Sequence, residues 1–94
     1  MPDAHGMKLE ILREAIEIVE ERGASYGPPA EHFARTIGAI NAIYADRLVR
    51  PFTPADWAVF IMLDKIARHQ HVPKHDNLVD VIGYAACAHA CGEC

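Results

Sequence analysis

Three proline-bearing breaks, Gly27-Pro28-Pro29, Arg50-Pro51-Phe52-Thr53-Pro54 and His71-Val72-Pro73, divide this chain into four stretches. Proline has no amide hydrogen and restrains the residue before it, so each break ends one helix and can open the next. Between the breaks, apolar residues recur at three- and four-residue spacing, and no stretch alternates with a period of two. The chain therefore reads as all-α, a four-helix bundle with short loops and no sheet. Its 94 residues leave room for a single domain. Residues 1–6 are expected to form a disordered N-terminus, and 87–94 a cysteine-containing C-terminal tail.

The first helix is expected from Met7 to Arg22, with Gly23 as its stop signal. Ile11, Leu12, Ala15, Ile16 and Val19 share one face, and Glu10, Glu14, Glu17 and Glu21 line the other. The Glu14/Glu17 and Glu17/Glu20 spacings suit either a divalent cation or a solvated face on which Arg13 pairs with Glu17. The second helix is expected from Ala30 to Leu48, with Phe33, Ile37, Ile40 and Tyr44 as its apolar stripe. At the third, Thr53 can cap, Pro54 suits the first turn, and Asp56 can reach back to the cap. That helix runs to about Gln70, and its Trp57–Leu63 segment is apolar all round, which predicts an enclosed helix. The fourth runs from Asp76 to about Cys91 and is also expected to be buried, because Asp80 is its only charged residue between Asn77 and His89.

Composition narrows the classes. Hydrophobic residues make up 51% of the chain, enough for a packed core. A net charge of −4 argues against a protein built to grip a nucleic-acid backbone, so direct nucleic-acid binding is not expected. No apolar run approaches the roughly 18 residues of a membrane span, and the charged first helix does not suit a signal-peptide core, so a cytoplasmic location is expected. A monomer this small hides little of its apolar surface, so self-association is expected.

The chemistry concentrates in the two apolar helices. Asp80 sits in a stretch that otherwise reads as core, and a buried carboxylate needs a partner. Lys65 and Arg68 are a short loop away. Asp76, one turn before Asp80, shares its face. Two readings stand side by side. In one, Asp80 pairs with Lys65 or Arg68, and Asp76 caps the helix. In the other, the carboxylates hold magnesium while the cations meet a polyphosphate. His69, His71 and His75 gather near the third break, either as exposed loop residues or as a metal or pH-sensing group. His75, beside Asp76, is the strongest functional candidate among them. Tyr26, in a Gly/Pro-rich loop, is a candidate ligand contact, whereas Trp57 is expected to pack. Cys87, Cys91 and Cys94 have the spacing of an iron–sulfur motif that belongs to far larger barrel enzymes. A zinc site is the other reading, and simple packing is the expected one.

Read in order, Tyr26-Gly27-x-Pro29, Glu31-His32-Phe33, Asp56, Lys65-Ile66-Ala67-Arg68 and Asp76-Asn77-Leu78-Val79-Asp80-x-x-Gly83-Tyr84-Ala85 form a series. It resembles a family of small phage- and prophage-encoded helical proteins. That family is in turn similar to the all-α nucleoside triphosphate pyrophosphohydrolases, the MazG-like and dimeric dUTPase-like group. The resemblance implies a homodimer or homotetramer that uses magnesium to split a nucleoside triphosphate into monophosphate and pyrophosphate. It implies Asp76, Asp80 and Glu31 as metal ligands, with Asp80 or Glu31 orienting the attacking water. It implies Lys65 and Arg68 as phosphate contacts, and Tyr26 and Phe33 as packing against a base. His32, where the small family carries Asn, and His75 complete the candidate nucleotide contacts. The chain's acidic pair is spaced i, i+4, where the larger group has i, i+3. A non-catalytic nucleotide-sequestering protein and a structural helical oligomer with an internal salt-bridge network are the alternative functions.

Overall fold

A computed structural model describes residues 3–26 and 29–91, except the side chains of 25, 26, 29, 30 and 91. Among the described residues there are four helices and no strand: α1 (Ala4–Tyr26), α2 (Pro29–Tyr44), α3 (Pro54–His71) and α4 (His75–Cys91). A single 3-10 turn, Ala45–Arg47, follows α2.

Local chemistry explains most of the boundaries. Asp3 starts α1: its carboxylate accepts from the Gly6 N–H at 2.7 Å and its carbonyl from the Met7 N–H. This cap draws residues 4–6 into the helix, three residues ahead of the expected start at Met7. Gly23 does not stop α1, which runs on to Tyr26 and ends beside the prolines. A glycine ends a helix only where the chain turns left-handed, and here no such conformation is imposed. The opening of α3 is as the sequence predicts. The Thr53 hydroxyl accepts from Asp56 N–H, and the Asp56 carboxylate accepts from Thr53 N–H at 2.8 Å. Asn41 settles the second break: its amide donates to the Phe52 carbonyl at 2.9 Å and accepts from the Phe52 N–H at 2.8 Å. A clamp across eleven residues leaves no trace in local sequence.

α3 and α4 form an antiparallel hairpin across a three-residue loop, closed where Lys74 N–H donates to His69 Nδ1 and Asn77 N–H donates to the Lys74 carbonyl. α2 lies against both helices, and α1 lies against α4. Along α4, contacts pass from Glu14 at His75, to Val19 at Gly83, to Phe33 at Tyr84. α1 thus follows α4 in its own direction, and α2 meets it further along. The molecule measures 55 × 31 × 20 Å.

The core is narrow. Phe33 and Ala58 are its centre, with Ala55, Trp57, Tyr84, Cys87 and Ala88 packed around them. Phe33 and Tyr84 stack at 6.2 Å. Ala15, Ile37 and Val79 are also buried. The expectation that α3 is enclosed from Trp57 to Leu63 is not met: Val59, Phe60 and Leu63 are exposed, Leu63 to 57%. α4 is only partly enclosed, with Val79 buried but Leu78 exposed. Most of the expected α1 face is also open, including Leu12 and Ile16. Four helices arranged this way cover only one side of α1 and of α3. No helix among the described residues is long and apolar enough to cross a membrane.

Candidate functional site

Asp80 stands in the N-terminal half of α4, on the side from which α3 and α1 both approach. Its side chain is 13% exposed. Lys65 Nζ lies 3.1 Å from Oδ2, and Arg22 Nη2 lies 3.6 Å from Oδ1. Three helices therefore meet at one carboxylate, with a cation from each flanking helix. Helical register explains Lys65: it is seven residues, nearly two turns, beyond Ala58, the most deeply buried residue of α3, so it points toward α4. The need of Asp80 for a partner, and Lys65 as that partner, are legible in the sequence.

Arg68 is not the second partner. Its Nε lies 2.9 Å from Oδ2 of Asp64, one turn earlier on the same helix, and both side chains are exposed. A neighbour at i−4 is reached without crossing between helices, so the local pair forms. Arg22 takes the place expected for Arg68. The sequence offers little to single it out, because nothing along the chain tells which face of α1 packs against α4.

Five residues before Asp80, α4 opens on a second charged group. His75 Nε2 lies 2.6 Å from Oε2 of Glu14 in α1. The Glu14 hydrogen bond and charge raise the His75 pKa above 6.5, with smaller contributions from Asp76 and Glu10. An imidazole among three carboxylates favours its charged form. The Glu14 side of α1, expected to face solvent, thus meets the start of α4. Asp76 is exposed in the first turn of α4, one turn from Asp80.

The remaining candidates scatter. Glu31 is exposed in the first turn of α2, and no ion pair or hydrogen bond joins it to Asp80. Its helix meets α4 at Tyr84, beyond Asp80. His32 is exposed, with its ring 6.2 Å from that of Phe33. Phe33 is 5% exposed and belongs to the core, where its ring is already packed. The Tyr26 side chain lies outside the described residues, as do Cys94 and the Cys91 side chain. Cys87 packs against the core, and burial pushes its thiol pKa up, opposed by Arg22. A thiol held protonated this way is a poor metal ligand and a poor nucleophile.

Magnesium, which the resemblance implies, wants several hard oxygen ligands around one point. Among the described residues, no three His, Cys, Asp or Glu side chains are grouped to hold a metal ion. Both oxygens of Asp80 already face cations. The residues of one chain, as placed, do not fit a magnesium centre. What they form is a joint of alternating charge along α4, open to solvent at Arg22 and His75.

Comparison with known proteins places the chain in a family. Residues 10–92 match a family described as a domain of unknown function, DUF6378, and the chain belongs to it. No curated protein and no solved structure matches the chain.

Proposed function

We propose that this protein handles a nucleoside triphosphate at the Asp80 joint, as a pyrophosphohydrolase-like protein that yields monophosphate and pyrophosphate. The observation that carries this reading is the meeting of Lys65 and Arg22 at a mostly covered carboxylate. Two cations from different helices can turn to a phosphate chain, Lys65 as a point charge and Arg22 through its planar fork. Arg68, one turn from Lys65, can extend the cationic edge once it leaves Asp64. Asp80 then orients water beside the bound phosphates. The phage-encoded, cytoplasmic setting and the magnesium requirement belong to the resemblance. No catalytic step is assigned to the metal here, because the carboxylates do not converge on a centre for it. A sequestering protein would use the same cations without turnover.

A second reading has its own support. Both Asp80 oxygens are engaged, so the joint can serve only to pin α1 and α3 to α4. Thermal unfolding against a panel of ribo- and deoxyribonucleotides, with and without magnesium, separates the two. A ligand at about 100 times its Kd adds about 2.7 kcal/mol, or roughly 10–20 °C for a domain of this size. The nucleotide reading expects a triphosphate to raise Tm in wild type and to lose that effect in Lys65→Met. Pyrophosphate release then distinguishes turnover from sequestration. If no nucleotide raises Tm, while Asp80→Ala lowers stability by about 1–2 kcal/mol, the joint is structural and the nucleotide reading fails.

A further inference from the structure

α1 and α3 each carry apolar residues beyond the sector that their own chain buries. On α1, Ala15 is buried, yet Leu9, Leu12, Ile16 and Val19 form an exposed stripe beside it. Their spacing of three, four and three residues keeps them on one side of the helix, over about 15 Å. On α3, Ala58 is fully buried, while Val59, Leu63 and Ile66 form a second exposed stripe. No charged residue interrupts either row. Exposed single apolar residues are ordinary, but a continuous row on each of two helices is not.

The total surface gives the scale. The chain exposes 6982 Å², where a closed monomer of 10.4 kDa exposes about 5,400 Å². The excess is about 1,600 Å² per chain. Stable interfaces bury about 800 Å² from each partner, and obligate homodimers bury more. The Cα radius of gyration, 15.3 Å, also exceeds the roughly 12 Å of a closed domain of this length.

We infer that a second copy of this chain covers the α1 and α3 stripes, in a two-fold interface that completes the hydrophobic core. A two-fold contact presents the same surface from both sides, and this chain supplies two such stripes to pair with each other or with themselves. The stripes lie on the two helices that deliver Arg22 and Lys65 to Asp80, so association also braces that joint. The inference stands apart from any nucleotide chemistry, and its test reads mass rather than ligand binding.

Sedimentation velocity or light scattering on the full chain at about 10 µM is the experiment, with helix content followed by circular dichroism. Wild type is expected to run at twice 10.4 kDa or a higher multiple. Ile16→Glu on α1 and Leu63→Lys on α3 replace side chains that are more than half exposed in the single chain. Each is expected to reduce the assembled fraction at least tenfold at that concentration. Arg35→Glu, at an exposed position on α2, keeps the wild-type mass. A monomeric wild type, or an assembly that survives both Ile16→Glu and Leu63→Lys, overturns the inference. If either variant loses its helix content as it dissociates, Ile16→Ala and Leu63→Ala take its place. They are expected to weaken association with helicity intact, and an unchanged mass with both counts against the inference.

Discussion

α4 is held in two different ways along its length. Its C-terminal half is held by apolar contact: Tyr84, Cys87 and Ala88 pack against the cluster of Phe33 of α2 and Ala58 of α3. Its N-terminal half combines one fully buried side chain, Val79, with charge: Asp80 pairs with Lys65 and Arg22, and His75 with Glu14. In the apolar half, Tyr84, Cys87 and Ala88 are partly buried around Phe33 and Ala58, which are themselves buried. The charged half faces water at Arg22, which is half exposed, and at His75. Apolar burial stabilises by area and tolerates little change of shape, whereas exposed ion pairs contribute little and can exchange partners. α4 thus joins a fixed end to an adjustable one, and candidate chemistry gathers at the adjustable end.

The contrast is broken most directly at the fixed end. Phe33→Ala removes the ring at the centre of the apolar cluster and is expected to cost about 3–5 kcal/mol, read by denaturant unfolding. A loss below about 1 kcal/mol means that the apolar end is held no more firmly than the charged one. A smaller effect belongs to the helix that carries the charged end. Gly23 lies inside α1 with no atom within 4 Å of where a Cβ would stand. Gly23→Ala is therefore expected to raise stability by up to about 1 kcal/mol, with greater helicity by circular dichroism. A destabilised variant means that α1 does not run through Gly23 as a regular helix.

The smallest effect is in the pH dependence of the His75–Glu14 pair. Glu14 raises the His75 pKa, so the folded state binds the proton more tightly than the unfolded state. The stability this adds is fully present below about pH 6.5, the ordinary histidine value, and is lost as pH rises through the folded pKa. Following the His75 ring resonance by NMR, we expect a midpoint above 6.5 in wild type and a lower one in Glu14→Gln. An equal midpoint in both proteins shows that α1 does not hold Glu14 against α4.

Much of this molecule is legible along the chain, and the reason is that helix boundaries are set locally. The Thr53/Asp56 capping box spans three residues, and the proline breaks act on adjacent ones, so four helices follow from the sequence alone. Asp80 announces itself as a polar group in an apolar helix that needs a cation, and Lys65 is placed to supply it. The other side of the joint depends on how the helices lie against each other. Arg22 rather than Arg68 completes it, because α1 lies against α4 while Arg68 finds Asp64 one turn away. Glu14 turns from an apparent solvent stripe to His75, and Phe33 from an expected ligand face to the core. The residue pattern fixes an apolar sector on α1 and on α3. Only tertiary packing decides how much of each sector its own chain covers, because helix periodicity records where apolar residues lie but not which neighbour arrives to bury them.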